Sequence, residues 1–247
     1  MKREFEPFTI ETMKLQEAKV LITGGSSGIG YETARQLITH GAKVAICGRN
    51  LEKLTRAAAE LGALPIHADV SKEADVKGMI ETVLETFGDF NVVINNAAYG
   101  YFNALTELDA HKFQELIQTN ILGAMMVGKE SARHFVARNY GNIVNISSTA
   151  GNAGFAMGTA YCATKFALKG MTESWRAELR KHNIRVMLVN PSEVQTNFGH
   201  NAGRESKAFN PSKLESEEIA HLIISMLEMR DVGFVTEATV FATNPQG

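Results

Sequence analysis

The sequence predicts an α/β protein built on a doubly wound, mostly parallel sheet, and three observations predict it. Short apolar, β-rich runs alternate with longer helical stretches from the first fifth of the chain to its end. A glycine-rich turn follows the first of those runs directly, where the chain passes from extended to helical. The 247 residues, 45% of them hydrophobic, supply material for one large core. A length of this order suits a single doubly wound domain covering residues 1–247.

The composition narrows the function. A net charge of −2 with 21% charged residues offers no basic stripe for a run of phosphates, so nucleic acid is not the expected partner and a small molecule is. Cys47 and Cys162 stand far apart, which argues against both a disulfide framework and a zinc site and for a reducing, cytoplasmic setting. Residues 1–18 form a polar leader without the apolar stretch of a signal peptide, and nowhere do about eighteen apolar residues run together, so no membrane association is expected.

In chain order, strands are expected at residues 20–23, 43–47, 64–68, 91–95, 142–147 and 185–190, with a seventh inside 232–242. Helices are expected to begin near Gly28, Leu51, Lys72, Asp109, Gly158 and Ser216. Right-handed crossovers place such helices on both faces of the sheet. Residues 192–214 break the rhythm with a long polar insertion that reads either as a lid or as a plain surface loop.

The first turn, Thr23 to Gly30, reads TGGSSGIG. Glycines at Gly24, Gly28 and Gly30 let backbone approach a pyrophosphate, and the start of the following helix favours an anion. At the end of the second strand, where an NAD-binding unit carries an acidic residue for the ribose hydroxyls, the sequence is Cys47-Gly48-Arg49-Asn50. No carboxylate is available there. The planar fork of Arg49 suits a 2′-phosphate, which points to NADP(H); alternatively, Arg49 only opens a solvated helix capped by Asn50.

Tyr161 and Lys165 lie at i,i+4 near the start of a helix, on one face. A phenol of pKa near 10 is a poor base at neutral pH, and a neighbouring ammonium lowers that value. Ser148 ends the fifth strand, at the edge where α/β sites assemble; its hydroxyl either orients a substrate oxygen or caps a turn, and its spacing to Tyr161 favours it over Ser147. In the helix from Asp109, Asn120 interrupts an apolar stripe of Phe113, Leu116, Ile117, Ile121 and Ala124. A polar side chain there serves a functional hydrogen bond, marks a helix distortion or is a satisfied core amide.

Together these residues resemble the short-chain dehydrogenase/reductase family over residues 20 to about 200. TGGSSGIG resembles its cofactor turn, Asn95-Asn96-Ala97-Ala98 its NNAG segment with Ala98 in place of Gly, and Asn190-Pro191-Ser192-Glu193-Val194-Gln195-Thr196 its PGxxxT stretch with Ser192 in place of Gly. The resemblance implies a single-domain Rossmann-like fold and a catalytic tetrad of Asn120, Ser148, Tyr161 and Lys165. It implies NADP(H) held by Gly24, Ser26, Ser27, Gly28, Ile29, Gly30, Arg49, Asp69, Val70, Asn96, Ala97, Tyr161, Lys165, Val194 and Thr196. The implied reaction passes a hydride between that nucleotide and a ketone, aldehyde or secondary alcohol, in a homodimer or homotetramer. Tyr99, Tyr101, Phe102, Phe155, Met157, Phe198 and Phe209 are candidate substrate contacts. A non-catalytic NADP(H)-binding sensor or scaffold of the same fold is the alternative.

Overall fold

The computed structural model describes residues 13–203, 205 and 208–245. Seven strands form one sheet in the order β3-β2-β1-β4-β5-β6-β7, with every neighbouring pair parallel. They are β1 (Lys19–Thr23), β2 (Lys43–Gly48), β3 (Leu64–His67), β4 (Val92–Asn95), β5 (Gly141–Ile146), β6 (Ile184–Pro191) and β7 (Glu237–Val240). All seven expected strands are present, their ends displaced by a residue or so except in the seventh, which occupies only the middle of its expected span.

The helices are α1 (Gly28–Thr39), α2 (Leu51–Leu61), α3 (Glu73–Phe87), α4 (Ala110–Ile117), α5 (Ala124–Arg138), α6 (Thr159–Leu179), the short α7 (Phe198–Asn201) and α8 (Ser216–Leu227). Asn50, just before the expected start at Leu51, and Asp109 are cap residues: each accepts a backbone N–H, from Lys53 at 2.9 Å and Lys112 at 3.0 Å. Alternating strand residues send their side chains to opposite faces. Val20 and Ile22 pack with Leu37, Leu54 and Ile223 of α1, α2 and α8. Leu21 and Val93 pack with Met79, Val127 and Trp175 of α3, α5 and α6. Helices therefore cover both faces, as a parallel sheet requires.

The polar leader ends earlier than the sequence suggests. Residues 1–12 lie outside the described residues, but Met13, Leu15 and Ala18 are buried in the first core cluster. Their apolar side chains, spaced among charged ones, anchor the entry to β1.

At the amino end of the sheet, Arg185 is 5% exposed. Its Nε donates to Asn142 Oδ1 at 2.6 Å, and its terminal nitrogens donate to the carbonyls of Leu227 (3.0 Å), the last residue of α8, and of Met229 (2.8 Å) just beyond it. This satisfies orphan helix carbonyls with a cation, which suits the helix dipole. Arg185→Leu strips several buried acceptors of their donor and is expected to lower stability by about 3 kcal/mol, read as the shift in a urea unfolding curve.

Candidate active site

The sheet order reverses direction between β1 and β4, and the crevice at their carboxyl ends is where the site residues gather. Thr23 ties the two strands together. Its hydroxyl oxygen accepts the N–H groups of Asn96 and Ala97, both at 3.0 Å, and donates toward the Ile94 carbonyl at 3.4 Å. The Asn96 side-chain amide donates to the carbonyls of Thr23 (3.0 Å) and Gly24 (3.1 Å), so it shapes the glycine turn from below. Ala98 keeps its backbone out of the left-handed region, which explains why alanine is accepted in place of glycine.

Gly24 and Gly28 have φ of +66° and +57°. A Cβ on Gly30 would come within 2.5 Å of Gly24 O, so the turn closes only with glycine there. A Cβ on Gly28 would lie 3.4 Å from Thr196 Cγ2, which brings the stretch after β6 over the start of α1. Ser27, the residue before α1, makes no side-chain cap bond, so the first-turn N–H groups remain available to an anion. The donor set and the open turn fit a nucleotide pyrophosphate.

Beside this cradle, Ser26 Oγ lies 3.5 Å from where a Gly48 Cβ would stand, so Ser26 faces the end of β2. Arg49 is exposed, and its guanidinium carbon lies 6.0 Å from the centre of the Tyr99 ring. Asp69 accepts the N–H and hydroxyl of Ser71 at 3.0 and 2.8 Å, and Val70 is buried against Gly123.

Asn120 is 2% exposed in a π-helical turn, Gln118–Gly123, that joins α4 to α5. This is the distortion that a polar residue in an apolar stripe signals. Its Oδ1 accepts from Tyr99 N at 3.1 Å, and its Nδ2 donates to Tyr99 O at 2.9 Å and to Thr164 Oγ1 at 3.2 Å. Thr164 in turn donates to the Tyr161 carbonyl at 2.8 Å. One amide thus joins the loop after β4 to the helix that carries Tyr161.

Tyr161 is 8% exposed, and its ring lies between Phe102 and Phe198, with centroids 5.3 and 5.5 Å away. Lys165 Nζ lies 5.7 Å from the centre of that ring and donates to the Ile146 carbonyl at 2.9 Å. Burial holds the Lys165 ammonium down at about 8, since it is taken out of water. Ser148 accepts from Ala150 N at 3.1 Å, closing a short turn whose Ala150 packs against Tyr161 and Cys162. Ser147 is buried with its hydroxyl toward Lys165 O at 3.4 Å, so Ser148 is the serine on the crevice side.

The aromatic candidates divide. Phe102, Phe155 and Phe198 stand with Tyr161, and Met157, at φ +65°, accepts the N–H of Asn103 at 3.0 Å beside them. Tyr99 has its ring beneath the Arg49 guanidinium, and Tyr101 accepts the N–H of Asp109 at the start of α4 at 3.0 Å. Phe209 is 66% exposed. Val194 bridges Leu214, and Gln195 clasps the far side of the insertion by accepting from Asn210 N at 2.6 Å; residues 204, 206 and 207 of the expected lid lie outside the described residues. Thr164 as the partner of Asn120 carried no sequence signal of its own.

Residues 18–207 match the family model described as short chain dehydrogenase. The chain belongs to that family.

An uncharacterized oxidoreductase of Bacillus subtilis, YxnA, is 35% identical over an alignment of 201 residues that covers 78% of this chain and 56% of that relative. An NADP-dependent 3-hydroxy acid dehydrogenase of Schizosaccharomyces pombe is 32% identical, with 95% of this chain and 96% of that protein aligned. Among solved structures, an alcohol dehydrogenase of the archaeon Thermococcus sibiricus complexed with 5-hydroxy-NADP superposes with a TM-score of 0.84 at 30% identity, covering 93% of this chain and 99% of that one. Among the described residues no helix is long and apolar enough to cross a membrane, and no group of side chains is arranged to hold a metal ion.

Lys165 makes stability depend on pH. Its pKa is about 8 in the fold and near 10.5 in an open chain, so between those values the unfolded chain binds more protons. The cost of burying the ammonium is present below pH 8 and relieved as pH rises toward 10.5. Chemical denaturation is expected to show wild type gaining stability relative to Lys165→Met over that window, and a flat difference would contradict it.

Proposed function

We propose that the protein is an NADP(H)-dependent carbonyl reductase or alcohol dehydrogenase in which Tyr161 is the proton donor and acceptor. The observation that carries this reading is the pairing of Tyr161 with a dehydrated Lys165 ammonium 5.7 Å from its ring. A cation in a dry setting acts strongly on a nearby phenol, because little water screens it.

The nucleotide would be held by the turn from Gly24 to Gly30, with Ser26, Ser27 and Ile29, by Arg49, by Asp69 and Val70, by the backbone of Asn96 and Ala97, and by Val194 and Thr196. When bound it supplies the hydride that the carbonyl carbon receives. Tyr161 gives its hydroxyl proton to the carbonyl oxygen, and Ser148 donates a hydrogen bond to that oxygen as negative charge develops on it. Lys165 then stabilises the phenolate until a proton returns. Asn120 fixes the helix turn at Thr164, between the two, and so holds their spacing. In the oxidative direction the same groups act in reverse, with Tyr161 accepting the alcohol proton.

Arg49 in place of a carboxylate at the end of β2 supports the phosphorylated nucleotide. The NADP dependence named for the S. pombe relative and the 5-hydroxy-NADP in the Thermococcus structure point the same way. The insertion over 192–214, pinned by Val194 and Gln195 and contributing Phe198 to the Tyr161 cluster, is proposed as the lid over the substrate.

Two measurements test the reading. In Tyr161→Phe, kcat for NADPH oxidation against a panel of ketones and aldehydes is expected to fall by roughly 10²–10⁴; equal activity in both proteins sinks the mechanism. Arg49→Asp sets a carboxylate against the 2′-phosphate, so fluorescence titration should show NADPH binding weakened by about tenfold or more and NADH binding little changed.

A further inference from the structure

Tyr99 is a member of the crevice that the chemistry of Tyr161 and Lys165 leaves unused. Its backbone is fixed from both sides: Tyr99 N donates to Asn120 Oδ1 at 3.1 Å, and Tyr99 O accepts from Asn120 Nδ2 at 2.9 Å. Asn120 is itself buried and tied to α6 through Thr164. The position of the Tyr99 ring is therefore set by the same amide that spaces the catalytic helix, and that ring is directed to the far end of the crevice.

What the ring meets there is Arg49, fifty positions away in sequence, with its guanidinium carbon 6.0 Å from the ring centre. Arg49 is exposed, and a long exposed side chain samples many rotamers unless something restrains it. A guanidinium over an aromatic face is restrained by cation–π attraction, while its N–H groups stay free to meet an anion. The Tyr99 hydroxyl is protonated at neutral pH as any ordinary phenol is, and partial burial and then the Glu115 carboxylate raise its pKa further, so it too is a donor.

We propose that Tyr99 is a positioning residue for nucleotide selectivity, its ring steadying the Arg49 guanidinium for the 2′-phosphate that separates NADPH from NADH. This rests on the assignment of Arg49 to that phosphate. It makes the discrimination a property of two elements, the end of β2 and the loop after β4, and it gives Asn120 a second consequence at the cofactor's adenosine end.

Equilibrium binding of NADPH and NADH to Tyr99→Ala, Tyr99→Phe, Arg49→Ala and the Tyr99→Ala/Arg49→Ala double variant tests it without turnover. Tyr99→Ala should weaken NADPH binding by about 3- to 10-fold, the range a partly exposed cation–π contact supports, and leave NADH within about twofold. Tyr99→Phe keeps the ring and should keep most of the preference. In the Arg49→Ala background, removing Tyr99 should change NADPH binding by less than about twofold. Equal losses for both nucleotides in Tyr99→Ala, or the same NADPH loss without Arg49, overturn the proposal. A preference lost in Arg49→Ala but kept in Tyr99→Ala overturns the role of Tyr99 alone, whereas a preference that survives Arg49→Ala overturns the Arg49 assignment beneath it.

Discussion

The hydroxyl of Thr23 is the contact on which the crevice depends. β1 and β4 are neighbours in the sheet, yet the chains leaving them turn to opposite sides, and parting chains leave backbone donors unpaired. Thr23 accepts two of those donors, from Asn96 and Ala97, and the Asn96 amide closes the other side by donating to Thr23 and Gly24. With that stitch made, the glycine turn is held open and the loop after β4 is led past Tyr99 to Phe102. The proposed nucleotide cradle and the aromatic cluster at Tyr161 both start from it.

A second constraint is electrical. Lys165 lies 3% exposed in α6, and its ammonium donates to a backbone carbonyl. A cation in this setting keeps its charge only with difficulty, as its lowered pKa shows, and it gains whenever negative charge appears on the phenol beside it. In the proposed mechanism that gain is what Lys165 brings to Tyr161. Phe102 and Phe198 pack against the Tyr161 ring on this side of α6, so the packing that buries the phenol also frames the proposed proton chemistry.

Much of this was legible in the sequence, for reasons that differ by residue. Strands buried on both faces are mostly apolar, so their runs stood out; Asn50 and Asp109 announced helix starts because their side chains replace missing backbone acceptors. Asn120 was conspicuous as an amide in an apolar stripe, and the π-turn is how the helix accommodates it. The direction of the Tyr99 and Tyr101 rings was not legible, since loop aromatics carry no periodicity and both were expected beside the substrate. Thr164 was equally silent: a helical threonine ordinarily bonds its own preceding turn, which it does here, and only the fold brings Asn120 to its other side. The packing of Met13 and Leu15 was hidden by the charged residues around them.

The order β3-β2-β1-β4-β5-β6-β7 has a consequence for how the protein is made. Among the described residues no strand pairs through a tight hairpin; every pairing must wait for a crossover helix, and the stitch from Thr23 to Asn96 closes a loop of 73 residues. Such non-local closure is slow, and a ribosome delivers Thr23 well before its partner. The proposed site draws on Asn120, Ser148, Tyr161 and Phe198, so a nascent chain cannot assemble it until β6 and the segment beyond it have emerged. Ligand binding in the crevice is for that reason a report on maturation of nearly the whole chain, and a nucleotide captured there would hold together segments that synthesis supplied at widely separated times.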